Sequence, residues 1–146
     1  MKQSKELNTV RHTTELDPEL LSNVRNSIIV IRGKPVIADV ANLYGVEAKR
    51  INEAVRNNPD KFPENYMFIL SSEEAAALRS KFSSTKLSSK SRSLPKVFTE
   101  KGLYMLATIL KSKSALNVTF AIIETFTHVR SLKKSIANNA SEEDER

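Results

Sequence analysis

The residues best equipped for recognition chemistry lie between Lys49 and Arg56. Lys49, Arg50, Asn52, Glu53 and Arg56 recur at helical spacing, with Ile51, Ala54 and Val55 between them. On a helix this pattern gives one polar face and one apolar face. The polar face carries what the major groove of duplex DNA can be read with. Lys and Arg donate to guanine O6 and N7, Asn pairs with adenine, and Glu accepts from cytosine N4. A plainer use is also open. Lys49–Glu53 and Arg50–Glu53 are the surface ion pairs of an ordinary helical corner, worth only ~0.2–0.5 kcal/mol each.

Little else in the chain suits catalysis. There is no cysteine, which removes disulfides, thiol nucleophiles and cysteine metal sites together. His12 and His128 stand alone. Glu124 lies four residues before His128, but two ligands do not make a zinc site. His128 is expected to be a partly buried structural residue. No glycine-rich phosphate loop, H-E-x-x-H or G-x-S-x-G occurs. The expectation is a protein that is not an enzyme, with no metal, no cofactor and no small-molecule substrate.

The net charge is +6, and its placement says more than its total. Residues 83–113 hold Lys86, Lys90, Arg92, Lys96, Lys101, Lys111 and Lys113 against the single acid Glu100. Such a local field attracts polyanions. Six of the eleven residues from Ser83 to Ser93 are serine, so residues 83–95 read as a flexible basic loop. Lys86, Lys90, Arg92 and Lys96 could track a phosphate backbone, or simply keep a linker soluble. Lys101 follows at a helix start capped by Thr99, where a phosphate could also sit. The last nine residues are acidic.

Elements must position these side chains. Residues 1–24 read as a flexible leader, with a short helix beginning at Asp17-Pro18. Ile28–Ile31 and Pro35–Ile37 read as a β-hairpin, with Gly33-Lys34 as a type II′ turn. Asp39 stands at an N-cap before Val40–Tyr44, and Gly45 stops that helix. A second helix runs from about Glu47 to Asn57. Ala41 permits close crossing, and Val46, Ile51, Ala54 and Val55 can pack back on Val40, Leu43 and Tyr44.

Beyond this unit, Tyr66–Leu70 reads as a strand, and Ser71 and Glu74 form a capping box opening another helix. Leu94–Phe98 is extended, and Thr99 caps a helix over about Glu100–Leu110. A long helix covers about Ala115–Ala137, with Leu116, Phe120, Ile123, Phe126, Val129, Leu132 and Ile136 at helical spacing. Val118 and Ile122 widen that stripe, so the helix can cover the core or pair with a second chain. Residues 138–146 read as a disordered acidic tail. No membrane span or secretory signal is evident, which fits a cytoplasmic protein.

Several blocks together resemble a known family. They are Ile31–Ile37, Leu43–Val46, Lys49–Val55, Arg56–Pro59, Lys61–Glu64, Met67-Phe68 and Phe98–Gly102. In that order they resemble the ORF-six-N domain of the KilA-N superfamily, over roughly Ile28 to Val129. The resemblance implies a DNA-binding module of phages, prophages and bacterial genomes, often linked to regulatory or antirepressor roles. Many members carry a further C-terminal domain. Here the chain stops after one helix and an acidic tail, so no second effector domain is expected.

The resulting expectation is one α+β domain over residues 25–137. It comprises a small β-hairpin, a helix-turn-helix, additional packing helices and a long C-terminal helix. Its partner is double-stranded DNA. Lys49, Asn52 and Arg56 are expected to contact bases, Arg50 a base or a phosphate, and Glu53 a cytosine or its basic neighbours. A homodimer through the C-terminal helix is a further expectation. The rival reading is a protein-binding antirepressor that sequesters a repressor without touching DNA.

Overall fold

The structure, a computed structural model, describes residues 16–81 and 94–145. The described residues form an α+β domain. The first helix, α1 (Pro18–Ser27), starts where Asp17 caps it: its carboxylate accepts from Glu19 N–H at 3.0 Å, and Pro18 opens the first turn. This helix is not part of a leader. Val24 is fully buried, and Leu20 and Leu21 pack against the core. The rest of the expected leader, residues 1–15, lies outside the described residues. The physical reason is the Leu20-Leu21-Val24 stripe, which needs cover.

Strands β1 (Ile28–Ile31) and β2 (Lys34–Ile37) pair antiparallel, with Ile31 opposite Lys34. That register makes Arg32 and Gly33 the turn, one residue earlier than expected. Both have positive φ, 54° and 75°, as a type I′ turn requires in place of type II′. A left-handed conformation costs a non-glycine residue about 1–2 kcal/mol. Arg32 is held there by tertiary contacts. Its Nε and Nη2 donate to Glu74 at 3.0 and 2.9 Å, and its guanidinium sits 4.5 Å from the Phe68 ring centroid.

Strands β3 (Met67–Ile69) and β4 (Lys96–Phe98) join the hairpin in one antiparallel sheet of order β1-β2-β4-β3. Alternate side chains serve two apolar clusters, as the period of two dictates. Ile37 and Phe98, with Ile28 and Met67 beside them, face the principal core. Ile29, Ile31, Val36, Phe68 and Val97 face a second cluster with Leu78. Leu78 comes from helix α4 (Ser72–Lys81). The capping box forms as expected: Glu74 N–H donates to Ser71 Oγ, and Ser71 N–H donates back to Glu74.

The principal core is closed by four further helices: α2 (Val40–Tyr44), α3 (Ala48–Asn57), α5 (Glu100–Leu110) and α6 (Lys113–Glu145). Thr99 caps α5 by accepting from Gly102 N–H, and its own hydroxyl donates to the Asn65 carbonyl. Gly102 meets the β3 approach so closely that a Cβ would lie 1.9 Å from the Tyr66 carbonyl oxygen.

Helix α6 departs from expectation twice. Its backbone stays helical to Glu145, so the segment expected as a disordered tail continues the helix. No proline or glycine follows Ser114 to stop it. The buried stripe also differs. Ala115, Val118, Ala121, Ile122 and Phe126 are buried, while Leu116, Ile123, Leu132 and Ile136 are exposed. The buried residues follow from where α1 and α5 lie against α6. His128 is exposed rather than partly buried.

Candidate nucleic-acid interface

Helices α2 and α3 form a two-helix unit around Gly45. Gly45 adopts φ +68°, and the space a Cβ would occupy there is open. Its N–H and that of Val46 satisfy the last carbonyls of α2, Val46 donating to Ala41 at 3.0 Å. This is the glycine stop that the sequence predicts. Asp39 occupies the N-cap position of α2, but its side chain makes no capping hydrogen bond. Val40, Tyr44, Ile51 and Ala54 are buried, with Leu43, Val46 and Val55 packed beside them. The expected back-packing of α3 on α2 is therefore present.

Two hydrogen bonds fix this unit to α5. The buried Tyr44 hydroxyl donates to the Leu103 carbonyl at 2.8 Å. Its burial pushes the phenol well above its usual range, so it stays protonated as a donor. Arg50 Nη2 donates to the Leu110 carbonyl at 3.0 Å. Leu110 ends α5, since Lys111 turns left-handed at φ 50°. A helix end leaves carbonyls without intrahelical partners, and a cation there is favourable. Each helix of the unit thus has one hydrogen bond to α5. The two partners are backbone carbonyls about 60 residues away in sequence, which no local pattern reveals.

With Arg50 engaged, the outward face of α3 is Lys49, Asn52, Glu53 and Arg56. Lys49, Asn52 and Arg56 are exposed, and Glu53 is half-buried. Lys49 Nζ lies 4.0 Å from a Glu53 carboxylate oxygen, with the Lys49 side chain 80% exposed. An exposed pair at that distance contributes little. The sheet adds one group to this face: Lys96, on β4, donates from Nζ to Asn52 Oδ1 at 3.2 Å. The structure thus brings Lys96 to Asn52, on the helix face that also carries Lys49 and Arg56. Lys101 is exposed in the first turn of α5 and shares no hydrogen bond or ion pair with them among the described residues. Lys86, Lys90 and Arg92 lie outside the described residues.

Other features offer less chemistry. Among the described residues no group of three His, Cys, Asp or Glu side chains could hold a metal ion. No described helix is long and apolar enough to cross a membrane. An open depression of about 320 Å³ is lined by residues including Asp17, Glu19, Asn42, Tyr44 and Asn117, and by none of α3.

Fold and site together define a small α+β domain that fastens a two-helix unit to a sheet and a supporting helix. The chain belongs to the ORF6N domain family, whose model matches residues 26–109. This bears out the resemblance carried by the blocks from Ile31 to Gly102. Membership is consistent with a phage-type regulatory protein. No curated protein and no solved structure matches the chain.

Proposed function

We propose that the protein binds double-stranded DNA sequence-specifically, as a transcriptional regulator of the phage or prophage type acting in the cytoplasm. Helices α2 and α3 act as a helix-turn-helix, and α3 lies in the major groove. The observation that carries this reading is the face of α3. Lys49, Asn52 and Arg56 project from a helix whose other side is buried and hydrogen-bonded to α5. Lys49 and Arg56 donate to base edges or phosphates, and Lys96 adds positive charge beside Asn52.

Replacing Lys49 or Arg56 by Ala tests the assignment. Loss of one base contact costs about 1–3 kcal/mol and relaxes selectivity at one position. Unchanged binding in both variants overturns α3 as the reading helix.

A homodimer through α6 belongs to the same proposal. Ala115, Val118, Ile122 and Thr125 are buried against the domain, and the same heptad positions continue as Val129, Leu132 and Ile136. Leu132 and Ile136 are 51% and 69% exposed. A second copy of α6 would cover that continuation and present two α3 helices to two half-sites. Dimers by sedimentation that dissociate in Leu132→Glu/Ile136→Glu support it. A monomer at all concentrations, free or on DNA, contradicts it. A stable complex with a repressor and no affinity for DNA would instead favour the antirepressor reading.

A further inference from the structure

We infer that Lys96 sets the base preference of Asn52, turning it from a reader of adenine into a reader of guanine. The inference rests on the proposal that α3 reads duplex DNA. An asparagine amide has two ends, one accepting and one donating, and coordinates alone rarely tell them apart. Here the chemistry does. A lysine ammonium can only donate, so the amide atom 3.2 Å from Lys96 Nζ is the carbonyl oxygen. The Asn52 Oδ1 is therefore turned towards β4, and the two N–H bonds of Nδ2 point elsewhere.

Adenine offers one acceptor, N7, and one donor, N6, in the major groove. Bidentate reading of adenine needs both ends of the amide at once. Guanine offers two acceptors, N7 and O6. An amide whose oxygen already accepts from Lys96 keeps one lone pair, but that oxygen is drawn towards β4, so the amide leads with its two donors, which matches guanine. Its neighbours agree. Lys49 lies three residues earlier on α3 and Arg56 four residues later, on the same face. The one acceptor there, Glu53, faces Lys49. The face as a whole is rich in donors, and guanine presents the most acceptor-rich edge.

The Lys96–Asn52 bond is exposed in the free protein and weak there. Docking on DNA removes water from it and strengthens it. Lys96 is anchored for this role, because β4 lies between β2 and β3 in the sheet. Lys96 is thus a specificity-determining residue that acts partly through Asn52.

Selection of binding sites from a randomised duplex library tests the inference, using the full chain and its variants. Asn52→Ala identifies the base position that Asn52 reads, as the one whose preference disappears. The wild type is expected to select guanine there, by roughly five- to a hundredfold. Lys96→Met, which keeps the stem and removes the donor, is expected to shift that position towards adenine. Lys96→Arg, which restores a donor, is expected to keep guanine. Adenine selected by the wild type, or an unchanged preference in Lys96→Met, overturns the inference while leaving DNA binding intact. Failure of the wild type to bind any duplex overturns the proposed function itself, and this inference with it.

Discussion

Arg50, one turn into α3, donates to the carbonyl of Leu110, the last residue of α5, at 3.0 Å. A residue with the sequence character of a DNA contact is thereby also a fastening between two helices. Its partly buried, charged hydrogen bond contributes about 1.5–3 kcal/mol. Arg50→Met is expected to lower unfolding stability by that order, measured by urea denaturation. Arg50→Lys is expected to recover part of the loss, since it keeps one cationic donor without the planar fork. A melting curve unchanged in Arg50→Met would mean that the contact is incidental.

Two glycines separate backbone strain from packing. At Gly45 only φ opposes a side chain, because the space is open. Gly45→Ala should cost about 1–2 kcal/mol, and Gly45→Asn less. At Gly102 a Cβ would overlap the Tyr66 carbonyl at 1.9 Å, and backbone cannot swing aside as a flexible side chain would. Gly102→Ala is expected to be the more damaging, by about 3 kcal/mol or more. Thermal melts of the two variants side by side check the order, and equal losses would contradict it.

Glu74 carries a pH prediction. Its hydrogen bond from Arg32, with a further one from the Ser71 backbone, lowers the carboxyl to about 2. A carboxylate depressed on folding stabilises the native state above its unfolded pKa. That contribution is lost as pH falls from the ordinary carboxylate range through about 2. NMR titration of Glu74 should show the depressed midpoint, and Arg32→Ala should raise it. An unmoved midpoint in Arg32→Ala would remove Arg32 as the main cause.

Local rules carried the sequence a long way. The glycine stop at Gly45, the Ser71–Glu74 box, the Thr99 cap and the back-packing of Ile51 and Ala54 on Tyr44 were all legible. Each depends on neighbours within about ten residues. What escaped depends on contacts distant in sequence. The turn at Arg32 is set by Glu74 and Phe68. Arg50 finds its partner 60 residues on, and Lys96 reaches Asn52 across 44. The buried side of α6 differs from the expected stripe because many of its residues are apolar, so periodicity alone admits more than one stripe. Residues 18–24 read as a leader because their cover comes from α6, at the far end of the chain.

The central claim is that α3 and its basic neighbours bind duplex DNA. Fluorescence anisotropy of the full chain with labelled random-sequence duplex, across ~50–200 mM salt, tests it most directly. Several phosphate contacts predict a fall in affinity of roughly 10³-fold or more over that range, and a weaker interaction throughout in Lys49→Ala/Arg56→Ala. Absence of binding at the lowest salt would contradict the account and turn the search towards a protein partner.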